Sequence, residues 1–131
     1  MKTFTAKKKL ILLLVVLIPL YLFSACSEKG EYVSITAQEA KELMDTESDY
    51  IILDVRTQEE FDEGHIPGAT LIPDTNISKL APILLKDKEK LIFVYCRTGR
   101  RSKNASAELA EMGYTNIKEF GGIVDWPFEI E

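Results

Sequence analysis

The apolar positions of this chain change period several times, and each change marks an element. Tyr32–Ile35 reads as a short strand. Thr36, with Glu39 three residues on, is a capping box that opens a helix reaching about Met44. The run YIILDV from Tyr50 to Val55 is apolar apart from Asp54, as expected of a strand buried in a parallel sheet. Thr57 and Glu60 form a second capping box, whose one or two turns stop at Gly64. Ile66-Pro67-Gly68 is a turn, and Thr70–Ile72 a short strand closed by Pro73. A helix is predicted between Asn76 and Leu85, and a second buried strand at Leu91–Tyr95, LIFVY. Ser102–Met112 places Ala105, Leu109 and Met112 on one helical face, with Gly113 as the stop. Ile117–Phe120 is a last strand, followed by Gly121-Gly122 and Trp126-Pro127.

Strands alternating with helices predict an α/β fold whose parallel sheet is covered on both faces. Right-handed crossovers put every βα loop at one edge of such a sheet, outside the carboxyl ends of the strands, where ligands bind. The stretch YCRTGRRS, Tyr95–Ser102, occupies one of these loops.

Composition alters the reading first at the N-terminus. Lys2, Lys7, Lys8 and Lys9 precede the apolar run Leu10–Phe23, and Ser24-Ala25-Cys26 follows, the order of a secretory signal. The run is shorter than a bilayer span of about 18 residues and contains Pro19. The sequence LFSAC resembles the lipobox of bacterial lipoproteins, in which the cysteine is lipidated; Phe23 departs from its usual Leu, Val or Ile. The expected organisation is a signal peptide over 1–25, a lipid-anchored linker over 26–31 and one domain over 32–131. The protein is then exported and held at the cell membrane through Cys26.

Charge sharpens the contrast around the loop. The whole chain carries a net charge of −5, and without the four leader lysines 12 basic residues face 21 acidic ones, a net of −9. Such a surface argues against nucleic acid as a partner. YCRTGRRS nevertheless gathers Arg97, Arg100 and Arg101 around Cys96, the one thiol left once Cys26 carries lipid. A loop entering a helix N-terminus presents unpaired N–H groups and the positive end of the helix dipole. A cysteine there is biased towards thiolate, the guanidinium groups push the same way, and Gly99 lets the backbone turn its amides inward. These features predict a nucleophilic Cys96 beside an anion site built from Arg97, Thr98, Gly99, Arg100 and Arg101. No His/Cys/Asp cluster has metal-ligand spacing and no phosphate-binding glycine motif occurs, so neither metal nor cofactor is expected.

Asp54-Val55-Arg56, Glu60-Phe61, Gly64-His65-Ile66-Pro67-Gly68-Ala69, the cysteine loop, Gly121-Gly122 and Trp126 together resemble a single-domain rhodanese, over about Tyr32 to Trp126. The resemblance implies a three-layer rhodanese-like domain around a central, mostly parallel five-stranded sheet. It also implies a sulfurtransferase in which Cys96 takes sulfane sulfur from thiosulfate or a related small anionic donor. Cys96 would hold it as a persulfide and release it to cyanide or a thiol. The backbone from Arg97 to Arg101 would cradle the persulfide, and the loop arginines would attract the dianionic donor. A monomer is expected.

Three alternatives stay open at this level. A rhodanese-like module can serve binding alone, and Cys96 could act as a redox carrier with a thiol supplied by a partner. A phosphatase or arsenate reductase of the same architecture places an arginine six positions after the cysteine, whereas here Ser102 holds that place and Arg101 comes at five. Outside the loop, Asp54 is expected to brace it and Arg56 to pair with an acid such as Glu60. His65 is expected to fix the GHIPGA turn, Trp126 to serve as core or cleft lid, and Gly121 and Gly122 to permit close backbone approach.

Overall fold

The computed structural model describes residues 30–131; the leader, Cys26 and most of the linker lie outside them. Five strands, β1 (Tyr32–Ser34), β2 (Tyr50–Asp54), β3 (Thr70–Leu71), β4 (Leu91–Cys96) and β5 (Ile117–Gly122), make one sheet in the order β1-β5-β4-β2-β3. Every neighbouring pair is parallel. The expected five-stranded sheet is therefore present, and it is parallel throughout. Four helices join the strands: α1 (Ala37–Thr46), α2 (Gln58–Glu63), α3 (Ile77–Leu84) and α4 (Arg100–Glu111). Both capping boxes form, with Thr36 and Thr57 each accepting from the amide three residues on while Glu39 and Glu60 reach back.

The two-residue period of the strands sorts the core into two layers. Leu53 and Val55 of the β2 segment, with Ile92, Val94 and Cys96 of β4, face α3 and α4 among Ile77, Ala81, Ala105 and Leu109. Ile52, Phe93, Tyr95 and Phe120 face the other way, against Ala40 and Met44 of α1 and against Trp126. Each fully buried side chain of this size contributes about 1.5–3 kcal/mol of apolar burial, so the two layers hold the sheet edge rigid beneath the loops. Trp126 lies in the aromatic layer, its ring 5.4 Å from that of Phe120. Among the described residues no helix is long and apolar enough to cross a membrane.

Strand order fixes where a ligand can sit. The chain leaves β2 for the edge strand β3 on one side and leaves β4 for β5 on the other. The two exits diverge, and the crevice between the carboxyl ends of β2 and β4 is the topological switch point of the sheet. Asp54 and Cys96 are the last residues of those strands.

Candidate functional site: a thiol at a helix N-terminus

Cys96 shares the α4 face with Ile92 and Val94, so its sulfur points beneath the start of that helix, with 1% of the residue exposed. The helix begins at Arg100, two residues earlier than its apolar pattern predicts. Gly99 explains the difference: as N-cap it takes φ 105°, a left-handed conformation that costs glycine little and turns the chain sharply into the helix. It has no side chain with which to cap the helix, so the first amides remain available to the sulfur. The Gly99 N–H donates to Cys96 Sγ at 3.0 Å. Burial pushes the Cys96 thiol up, but the Ser102 side chain and the backbone around Ser102, Gly99 and Thr98 outweigh it, holding its pKa below the ordinary value.

Ser102 stands one helical turn in, fully buried, and its hydroxyl lies 3.5 Å from Cys96 Sγ. The sixth position after the cysteine thus presents a small hydroxyl to the sulfur. Ser102 Oγ is 2.6 Å from Glu119 Oε1, 3.0 Å from the Gly99 carbonyl and 3.3 Å from that of Gly121. Its single proton serves one acceptor at a time, and the shortest contact is to the carboxylate.

The three arginines of the loop have different surroundings. Arg97 and Arg100 are exposed and carry open positive charge at the rim. Arg101 does not join them. Its two arms donate to Glu60 of α2 at 2.7 and 2.8 Å, so its charge is shared between that carboxylate and the site, where it also acts on Cys96. The guanidinium holds the Glu60 carboxyl down at about 2, with the Thr57 cap adding to the effect.

Arg56 likewise differs from expectation, because its partner is Asp54 and not Glu60. Asp54 is fully buried and takes the Arg56 guanidinium on both oxygens, at 2.7 to 3.0 Å, and the Arg56 amide at 2.9 Å. The same Nη2 that reaches Asp54 Oδ2 also donates to the Gly64 carbonyl at 2.7 Å. Asp54 and Arg56 therefore brace the β2 exit against the end of α2, on the far side of the switch-point crevice. Tyr95 joins them through its ring, 5.6 Å from the guanidinium carbon, and its hydroxyl, which accepts from the Ile66 amide at 3.1 Å.

His65 is held within its turn. Its ring stacks on Phe61 at 3.7 Å with Nδ1 3.0 Å from the Phe61 carbonyl. Gly122 marks a close approach: a Cβ there would lie 2.1 Å from the Arg97 carbonyl oxygen. The β5 end and the cysteine loop are thus in direct backbone contact, and Arg97 O also accepts from the Val124 amide at 3.3 Å. Glu119 escaped the sequence reading, although an acid two residues beyond Ile117 on a buried strand was visible there. Among the described residues no group of three or more His, Cys, Asp or Glu could hold a metal ion.

A parallel α/β sheet with a buried thiol under a glycine-capped helix N-terminus defines a class of domain whose helix end favours negative charge on the sulfur. Within that class, the family described as the rhodanese-like domain matches residues 36–127. Thiosulfate sulfurtransferase PspE of Escherichia coli is 37% identical over 73 residues, which are 56% of this chain and 70% of that protein. Putative sulfurtransferase YtwF of Bacillus subtilis is 35% identical over 99 residues, 76% of this chain and 94% of its own length. The solved rhodanese-like domain protein of Staphylococcus aureus superposes with a TM-score of 0.65 at 33% identity, covering 76% of this chain and 96% of that one. Some curated relatives are much longer; the chain spans 22% of an adenylyltransferase and sulfurtransferase of Meyerozyma guilliermondii. The chain belongs to the rhodanese-like domain family, and its relatives at this level of similarity include sulfurtransferases.

Proposed function

We propose that this protein transfers sulfane sulfur through a persulfide on Cys96. The observation that carries the reading is the Gly99 N–H aimed at Cys96 Sγ at 3.0 Å, at the mouth of a helix N-terminus with exposed Arg97 and Arg100 beside it. A thiolate held there attacks the outer sulfur of thiosulfate. A new S–S bond forms at Sγ, the bond between the two donor sulfurs breaks, and its electron pair leaves with sulfite. The terminal persulfide sulfur then lies towards the loop amides. Cyanide or an incoming thiolate attacks that sulfur and returns Cys96 as thiolate. Attack by a thiolate needs no general base.

Ser102 at the sixth position favours sulfur over phosphoryl transfer, because a hydroxyl and not a guanidinium faces the reacting atom. Attachment to the membrane through lipid on Cys26 belongs to the same reading and rests on the order of the leader, lysines, apolar run and LFSAC. The test is a thiosulfate-to-cyanide assay on the full chain and its Cys96→Ser variant, with intact-mass measurement after thiosulfate. The expected results are turnover and a gain of about 32 Da, one sulfur atom, in the Cys96 form alone. Equal turnover in both forms would remove Cys96 from the mechanism, and a mass without diacylglyceryl at Cys26 would remove the anchor.

A further inference from the structure

Glu119 is a charged residue that the proposed sulfur transfer does not use, and it is buried to 1% exposure directly behind the site. It lies on the α4 face of β5, opposite Val94 in the strand register. Three donors surround its two oxygens. Ser102 Oγ donates to Oε1 at 2.6 Å and the Gly121 amide to Oε1 at 2.8 Å, while Ser34 Oγ donates to Oε2 at 2.9 Å. Two hydroxyls and an amide suit the acceptor-only geometry of an ionised carboxylate, and no cation is among them. One hydroxyl, that of Ser102, separates this carboxylate from Cys96 Sγ.

Two like charges so placed in a dry interior disfavour one another. The cost depends on where the second charge sits. In the thiolate it is on Sγ, beside Ser102. In the persulfide Sγ is neutral and the charge has moved out by one S–S bond, about 2.05 Å, to the terminal sulfur near the loop amides. Ser102 responds in step: its proton lies towards Glu119 while the thiol donates to Oγ, and can turn to Sγ because Glu119 keeps its bonds from Gly121 and Ser34. Other charges also act at the sulfur. Arg101 of α4 attracts a charge on Cys96, tied as it is to Glu60 of α2, and Asp74 acts on Arg101 from beyond.

We propose that Glu119 is a positioning residue: acting through Ser102, it disfavours negative charge on Sγ and so drives that charge outward onto a second sulfur, favouring the loaded form of the site. This rests on the sulfurtransferase reading for its purpose, but not for its first test. That test is the pH dependence of Cys96 alkylation by iodoacetamide in the full chain, comparing Glu119→Gln, Glu119→Asn and Glu119→Asp. Both neutral amides are expected to lower the midpoint by about one pH unit, while Asp keeps it near the parent value. The Asn variant, shorter by one carbon, gives the same readout where Gln distorts the β5 end. A midpoint that is unchanged or raised in the folded amide variants would overturn the proposal, as would an equal drop with Asp.

The second measurement is the ratio of persulfide to unloaded Cys96 by mass, at a fixed ratio of thiosulfate to sulfite and at a pH above the alkylation midpoints, where the empty site is thiolate. The amides are expected to reduce it about threefold or more for a shift of that size. A lowered alkylation midpoint with no persulfide in any form would uphold the electrostatic role of Glu119 and reject the sulfurtransferase reading. An unchanged midpoint with normal persulfide formation would do the reverse.

Discussion

Arg101 on the first turn of α4 and Glu60 on the first turn of α2 are joined through two parallel hydrogen bonds, 41 residues apart in sequence. Glu60 also caps its own helix by accepting from the Thr57 amide at 3.0 Å. One carboxylate therefore fixes both the start of α2 and the helix that roofs the thiol. A double-mutant cycle on Arg101→Ala and Glu60→Ala, read by denaturant unfolding, is expected to give a coupling of about 1 kcal/mol, since solvent screens part of the pair. Additive single losses would mean the two side chains do not stabilise each other.

The same pair predicts an acid-sensitive component of stability. Glu60 titrates at about 2 in the folded protein against an ordinary 4.5. A depressed carboxyl contributes stability that is fully present above the ordinary value and is lost as pH falls through the folded one. Unfolding midpoints of the parent and of Glu60→Gln should therefore converge between pH 4.5 and 2. A gap that persists unchanged at the acid end would contradict this.

Breaking the Asp54–Arg56 pair should cost more. Asp54→Ala leaves a buried guanidinium with the Gly64 carbonyl as its remaining fixed partner. A loss of about 3–5 kcal/mol is expected from equilibrium unfolding, the usual scale for removing one member of a buried pair. A loss under about 1 kcal/mol would show that water reaches Arg56 once the acid is gone.

Gly122→Ala tests the contact between the β5 end and the cysteine loop. Its Cβ would meet the Arg97 carbonyl oxygen at 2.1 Å and the Thr98 Cα at 2.6 Å, both backbone atoms that cannot rotate away. Displacement of the loop should destabilise the fold by about 1–3 kcal/mol and slow Cys96 alkylation, because the Gly99 amide moves with it. Parent-like alkylation rates would mean that β5 yields instead of the loop.

Arg97 and Arg100 offer the opposite case. Both are exposed, and replacing either with Ala should change stability by less than about 0.5 kcal/mol. Their effect belongs in the apparent affinity for an anionic donor, with KM raised and its salt dependence reduced. A change in kcat at constant KM would place them in the chemical step.

Most of the architecture was legible because strand period and capping boxes are local signals. Thr36 with Glu39 and Thr57 with Glu60 marked two helix starts within a few residues, and the apolar runs at β2 and β4 marked the central strands. The start of α4 was not legible from apolar spacing, since Gly99 turns the chain before any apolar residue of the helix appears. Arg56 was misplaced for a related reason. Glu60 was named only as a nearby acid, whereas Asp54 and Arg56 belong to an extended exit whose two-residue period puts them on one side. Glu60 with Arg101, and Ser102 with Glu119, are contacts between distant segments, and only the register of β4 with β5 and the seating of α4 bring them together.

The burial of Cys96 gives the proposed cycle a geometric alternation. Empty, the sulfur is buried, with 1% of the residue exposed. Loaded as proposed, the side chain would be longer by one sulfur, about 2.05 Å, and the reactive atom would stand nearer the loop amides. Reach and cargo then change together. In the proposed cycle the protein would become touchable to an acceptor only while it has something to hand over, and would withdraw when the transfer is done.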